Sequence, residues 1–253
     1  MLIDTHCHLD AAEFDSDRDA VHAAALAAGI GRIVVPAVAV DSFHRVKTSV
    51  ERYPGCVAAY GIHPLCVMQA QESDLAVLRD WLERERPVAV GEIGLDFHVT
   101  DSDPARQEFY LVEQLQLARE LDLPVLLHVR RAIDRILKHL RRIRVRGGIA
   151  HAFNGSRQQA DEFIRLGFKL GFGGAMTFPG STRIRSLAAE LPLAAIVLET
   201  DAPDIPPAWL GGGRNSPAEL PRIAGVLAEL RALPAAEVAA QSAAAARAVL
   251  PRL

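Results

Sequence analysis

The sequence predicts a (β/α)8 TIM barrel, the α/β architecture in which eight parallel strands are each followed by a helix and the active site sits at the C-terminal ends of the strands. Three observations lead there. Eight short runs rich in Val, Ile, Leu and Ala recur along the chain. Amphipathic helical patterns separate them. The 253 residues shared among eight units come to roughly 32 per unit, the size of one strand–helix repeat. The runs show little apolar–polar alternation, as expected of parallel strands covered on both faces. A doubly wound open sheet, the alternative, would normally use fewer strands and one switch point. No Pro/Gly linker divides the chain, so residues 1–253 are expected to form a single domain.

The expected strands are 2–6, 32–37, 57–62, 87–92, 124–129, 148–152, 168–173 and 196–200. Among the helices, 132–144 has the clearest pattern. Ile133, Ile136, Leu137, Leu140 and Ile143 fall on one face, and Arg135, Lys138 and Arg142 on the other. The loop 203–215, with Pro206-Pro207 and Gly211-Gly212-Gly213, is the longest irregular stretch. Ser216-Pro217-Ala218-Glu219 reads as a capping box with Pro at the first helical position, so a helix is expected to start there.

Composition narrows the function classes. The 28 Lys+Arg against 31 Asp+Glu leave a formal net charge of −3, which argues against attachment to nucleic acid or membrane through bulk positive charge. Lys47, Lys138 and Lys169 are the only lysines; with Ala so abundant, the preference for Arg reads as coding bias. Cys7, Cys56 and Cys66 form no C-x-x-C pair and no disulfide framework. A strand pattern in the first residues leaves no room for a signal peptide, and no apolar run approaches the ~18 residues of a membrane span. The expectation is a cytoplasmic protein without a membrane partner, compatible with a monomer.

His22, His44 and His139 fall on helical patterns and are expected at the surface or its boundary. The other six histidines cluster near strand ends. His6 and His8 leave the first strand, His63 the third and His128 the fifth; His151 ends the sixth, and His98 lies just past the fourth. Glu92 ends the fourth strand and Asp201 follows the eighth. In His6-Cys7-His8 the strand period of two points both imidazoles to one side and Cys7 away. Burying this many ionisable groups in one cavity without a partner would cost on the order of several kcal/mol each. A bound divalent cation resolves that cost, since neutral imidazole and carboxylate are its usual ligands. Glu92 has two oxygens with which to bridge two ions. Asp201 could bind an ion and accept a proton from an attacking water. His63, in Gly61-Ile62-His63-Pro64, is a candidate donor to a substrate oxygen. Asp96, Glu199 and His98 read as groups that support ligands from behind or cap loops.

These residues resemble the TatD family of metal-dependent, DNase-like hydrolases, within the amidohydrolase-like barrels. The resemblance rests on Ile3-Asp4-Thr5-His6-Cys7-His8-Leu9-Asp10, Gly61-Ile62-His63-Pro64, Val90-Gly91-Glu92-Ile93-Gly94-Leu95-Asp96 and Leu127-His128-Val129-Arg130. It continues through His151-Ala152-Phe153-Asn154-Gly155-Ser156, Leu198-Glu199-Thr200-Asp201-Ala202-Pro203 and Arg214-Asn215-Ser216-Pro217, in order and across nearly the whole chain. It implies two divalent ions, whether Zn, Mn, Mg or Ni, with His6, His8, Glu92 and Asp201 on one and Glu92, His128 and His151 on the other. It also implies a 3′–5′ exonuclease type of deoxyribonuclease, whose partner is DNA or another nucleotide phosphodiester. His98, where an aromatic or small residue is commoner, departs from the pattern.

The expected mechanism is hydrolysis by a metal-activated water, with Asp201, Glu92 and His63 in the catalytic set and His63 and Arg130 touching the substrate. A metal-dependent amidase or lactonase on a small substrate is the main alternative, and a non-catalytic metal-binding protein the third reading. Trp209 beside Gly211–Gly213 is a candidate to stack on a nucleobase, against a packing role for the same ring. Among the arginines, Arg130 and Arg131 are expected near the mouth and Arg141 to Arg146 on the far side, because the helix runs back from the mouth.

Overall fold

The computed structural model describes residues 1–99 and 103–253. Among these residues eight strands lie parallel in one sheet, in sequence order: β1 Leu2–Asp4, β2 Ile30–Pro36, β3 Cys56–Tyr60, β4 Ala89–Asp96, β5 Val125–Arg130, β6 Gly148–Ala150, β7 Phe168–Phe172 and β8 Ile196–Leu198. The ring closes just beyond the last strand. Thr5 N–H donates to the Leu198 carbonyl (3.1 Å) and Asp201 N–H to the His6 carbonyl (2.8 Å). The architecture is therefore the (β/α)8 barrel that the spacing predicts.

The outer layer consists of α1 Arg18–Ala27, α2 Phe43–Arg52, α3 Asp74–Glu85, α4 Pro104–Glu120, α5 Ile133–Arg142, α6 Arg157–Arg165, α7 Thr182–Glu190, α8 Leu220–Arg231 and α9 Ala235–Val249. Strand alternation splits the core in two. Ile33 and Val35 of β2 pack outward with the helices. Val34 turns inward and joins Ile3, Ala59, Ala89, Leu126, Ile149 and Val197, closed off by Ala243, Ala245 and Ala246 of α9. No helix among the described residues is long and apolar enough to cross a membrane.

Several local expectations shift. β4 runs four residues past its expected end, to Asp96, because Gly94, Leu95 and Asp96 pair with His128, Val129 and Arg130 of β5. Glu92 consequently sits within the strand, below its tip. β1 and β8 end earlier, so His6, His8 and Asp201 stand on the loops that follow them. The capping box at Ser216 is only half made. The Ser216 hydroxyl accepts from Ala218 N–H, and Pro217 opens a single 3-10 turn ahead of α8. Glu219 does not return to Ser216 N–H, which donates instead to Asn215.

His22 and His139 are buried, deeper than the expected surface or its boundary. Each has a polar partner that offsets its desolvation. His22 Nε2 lies 3.0 Å from the Pro54 carbonyl, and His139 Nε2 lies 2.9 Å from the Glu108 carboxylate. His44 remains exposed, edge-on to Trp81.

Candidate metal centre

The chain leaving β1 is held on both sides. His8 N–H donates to the Ala202 carbonyl (2.8 Å) and Cys7 N–H to the Val34 carbonyl of β2 (3.1 Å). This keeps the alternation of a strand, so His6 and His8 face the mouth while Cys7 is buried in the apolar core. Burial pushes the Cys7 thiol well up, which removes it as a ligand candidate. Asp4 braces the same segment. It accepts from Thr200 N–H (2.9 Å), Thr200 Oγ1 (2.5 Å) and His6 N–H (3.3 Å). Burial nevertheless raises its carboxyl to about 7.

Glu92 lies between two groups of imidazoles. Its Oε2 is 3.1 Å from His6 Nε2 and 3.7 Å from His8 Nε2. Its Oε1 is 3.0 Å from His128 Nδ1 and 3.7 Å from His63 Nε2. Asp201 Oδ1 stands 3.6 Å from His6 Nε2, 3.7 Å from His8 Nε2 and 3.6 Å from His151 Nε2. The His6 and His151 rings stack with centroids 3.8 Å apart. Burial alone would raise the Glu92 carboxyl, but His6, His63 and His128 hold it well below the usual carboxylate range. Burial and the neighbouring His151 lower His6. Burial opposes protonation of His151 too, yet Glu199 and Asp201 raise it to about 10.

The donor set fits a divalent cation on a direct observation. Both ring nitrogens of buried His6 lack a hydrogen-bond partner, although Nε2 is 3.1 Å from a Glu92 oxygen. The contact is close but off hydrogen-bond geometry, as for two lone pairs aimed at one point. Ligands each about 2.0–2.2 Å from a shared ion stand about 3.0–3.6 Å apart. Among the described residues three groups bring one ligand atom from each residue within 4.8 Å of one another: His6, Glu92 and His151; His6, His8 and Asp201; and His63, Glu92 and His128. All six sequence-nominated ligands are therefore brought together. His151 groups with His6, whereas His128 groups with His63.

Carboxylates stand behind two of the rings. His128 Nε2–H donates to Asp96 Oδ2 (2.9 Å), which leaves Nδ1 facing Glu92. Burial opposes the charge on Asp96, but the bonds from His128 and His98 N–H bring it down to about 2. His151 Nδ1 lies 3.0 Å from Glu199 Oε1. His63 is oriented differently. Its Nδ1 accepts from Leu65 N–H (3.2 Å), so Nε2 carries the proton, and burial lowers the ring to about 3. A neutral imidazole with its N–H toward the centre is suited to donate rather than to ligate.

Above this floor opens a cleft of about 1340 Å³. Asp10, Glu13 and Asp204 line the β8–β1 side, and Val38, Leu65, Phe97 and the exposed His98 the β2–β4 side. Arg130, Arg131, Arg135 and Arg183 line the β5–β7 side. Arg131, Ala152, Asp201 and Ile205 all take left-handed backbone at this mouth, with φ of +55°, +45°, +60° and +42°. Such conformations cost about 1–3 kcal/mol each and persist only where the surroundings hold them. Arg141 pairs with Glu162 and Arg146 with Asp122, outside the cleft, as the geometry of the helix predicts.

Of the two readings of Trp209, the structure favours the packing role. Trp209 Nε1–H donates to Glu219 (2.7 Å), and the Arg222 guanidinium lies 4.0 Å over its ring. With its polar edge and one face occupied, and outside the residues lining the cleft, Trp209 anchors the loop and offers no platform for a base. Arg183 carried no sequence signal, since it lies in the first turn of helix α7 and reaches the cleft only through the folding of the preceding loop. Arg135 looked like part of a solvated helix face.

Comparison with known proteins agrees with this geometry. The family model for TatD-related DNases matches residues 3–251. The uncharacterized metal-dependent hydrolase YjjV of Escherichia coli K12 is 45% identical over 241 residues, 94% of this chain and 93% of that protein. The crystal structure of YJJV, a TatD homologue from the same organism, superposes with a TM-score of 0.95 at 43% identity, covering 99% and 98% of the two chains. A protein named 3′-5′ ssDNA/RNA exonuclease TatD, from Cronobacter sakazakii, is 35% identical over 237 residues, 91% of this chain and 90% of that one.

Proposed function

The chain belongs to the TatD-related DNase family, and from that premise we propose that it is a divalent-metal-dependent hydrolase of phosphodiesters, a nuclease that shortens DNA strands from the 3′ end. The observation that carries the choice of substrate is the cleft: Arg130, Arg131, Arg135 and Arg183 line one wall, opposite Asp10, Glu13 and Asp204, above a floor that is an imidazole–carboxylate cluster. A neutral amide or lactone has no use for such an arginine wall, whereas successive phosphates do. The 3′ polarity is supported by the name of the Cronobacter relative. The three free cysteines fit the reducing cytoplasm as its compartment. Residues 1–253 act as one domain in this reading.

His6, His8, Glu92 and Asp201 would hold one ion, and Glu92 with His128 a second, with His151 able to serve either through its place beside His6 and Asp201. Bound there, divalent ions lower the pKa of water from 15.7 toward ~7 and polarise a phosphoryl oxygen. Asp201 would accept the proton of the attacking water through the carboxylate oxygen that it does not give to the ion. His63 donates from Nε2 to a phosphoryl oxygen as negative charge grows there. Arg130, in the cleft wall with its guanidinium 4.0 Å from Asp96, holds the substrate's phosphate.

The test is a parallel panel of single-stranded oligonucleotides, a small phosphodiester, amides and lactones, with Mn2+, Mg2+ or Zn2+. Stepwise release of nucleotides from the 3′ end is the expected result. Turnover confined to amides or lactones overturns the proposal. So does metal retention with no turnover of any substrate.

A further inference from the structure

Glu199 is 1% exposed and ends beside the metal centre without being one of its proposed ligands. Its Oε1 accepts from Ala152 N–H (2.6 Å) and lies 3.0 Å from His151 Nδ1. Its Oε2 has no hydrogen-bond partner, and neither has His151 Nδ1 by strict geometry. The polar neighbour of His151 Nδ1 is Glu199 Oε1, and in a buried environment an unmatched polar atom is costly.

The space for this carboxylate is supplied by β7. A Cβ on Gly171 would stand 2.1 Å from Glu199 Oε2 and 2.5 Å from its carboxyl carbon. A Cβ on Gly173 would stand 2.7 Å from the Glu199 carbonyl oxygen. Neither glycine has positive φ. Positive φ is therefore not what requires glycine here, and the close approach of Glu199 is. The two glycines of Leu170-Gly171-Phe172-Gly173 are matched to one buried residue just past the next strand, Gly171 to its carboxylate and Gly173 to its carbonyl.

We infer that Glu199 is the positioning residue for His151, setting which ring nitrogen carries the proton and where the ring points, and that Gly171 and Gly173 form its seat. The inference rests on the reading of His151 as a metal ligand. The carboxylate draws the proton to Nδ1, which leaves the Nε2 lone pair toward Asp201 and the centre. The arrangement parallels Asp96 behind His128, with the ring reversed: there Nε2 faces the supporting carboxylate and Nδ1 the centre.

Four variants test it: E199A, E199Q, G171A and the double variant G171A/E199A. The readouts are metal affinity by chelator competition with Mn2+ or Zn2+, the ring 15N shifts of His151 in the Zn2+-loaded protein, and kcat and KM on an oligonucleotide. E199A should weaken metal binding about 10–100-fold and lose the single-tautomer signature of His151. E199Q should fall between it and the parent protein. kcat should drop while KM stays within about twofold, since substrate contacts are untouched. G171A should reproduce the loss by displacing the carboxylate. In the E199A background the new methyl meets no carboxylate, so G171A/E199A should be no worse than E199A alone. Unchanged metal affinity and an unchanged His151 tautomer in E199A would overturn the inference. So would additive losses in the double variant. If G171A fails to fold, the E199A and E199Q shifts decide. If the parent protein cleaves no nucleic acid, the functional reading fails, while metal affinity and 15N shifts still judge this one.

Discussion

Glu92, on the floor of the cleft, has 2% of its side chain exposed, whereas Arg130, on the rim, has 53%. That difference decides how each region tolerates change. On the floor an unbalanced charge cannot be screened, so every carboxylate faces imidazoles and the imidazoles in turn face carboxylates. On the rim, water screens each arginine, and single ion pairs there contribute about 0–1 kcal/mol. The floor should behave as one unit that fails together. The rim should behave as a sum of small, separable contributions.

The largest expected effect is metal removal. Chelation should abolish turnover while far-UV circular dichroism at room temperature stays unchanged, because the barrel core lies below the site and contains no ligand. Loss of secondary structure on chelation would mean that the ion holds the fold and that floor and core are not separate.

Glu92→Gln comes next. It keeps shape but removes the negative charge that two imidazole groups share. Turnover should fall by about 10²–10³-fold, of the order lost with other transition-state charge stabilisers. Metal content per chain should fall by at least one ion, with little change in melting temperature. Full metal occupancy with near-normal turnover would show that the floor is not one unit.

Trp209→Ala probes an anchor between the two regions. Losing the Glu219 bond and the Arg222 contact should cost about 1–2 kcal/mol, a fall in melting temperature of about 2–8 °C. Kinetic losses should be equal on an oligonucleotide and on a small phosphodiester. A selective loss on the oligonucleotide would return Trp209 to substrate binding.

The rim should give the smallest effects. Arg130→Ala should raise KM for a phosphodiester about two- to fivefold with little change in kcat. Changing Arg142 and Arg144 together should leave both within about twofold at moderate salt. A larger loss from the distal pair would mean that nucleic acid crosses the helical side, and the cleft rim would lose its special standing.

The barrel and the floor were legible in the sequence for one reason. Strand–helix spacing and apolar runs are local, and a (β/α)8 ring carries the end of every strand to one face, so His6, His8, Glu92, His128, His151 and Asp201 could be nominated from position alone. The local alternation that points His6 and His8 to one side survives beyond β1 because hydrogen bonds on both flanks hold it. What tertiary structure alone decided depends on neighbours distant in sequence. The extension of β4 to Asp96 follows from its pairing with β5. Burial of His22 and His139 follows from the Pro54 carbonyl and the Glu108 carboxylate. Arg183 joins the cleft, and Trp209 turns away from it, through contacts between loops. The seat of Glu199 joins a β7 glycine to a carboxylate 28 positions later in the sequence. Periodicity is written into adjacent residues by the geometry of the backbone. Which side chain meets which across the barrel mouth is written nowhere until the ring closes.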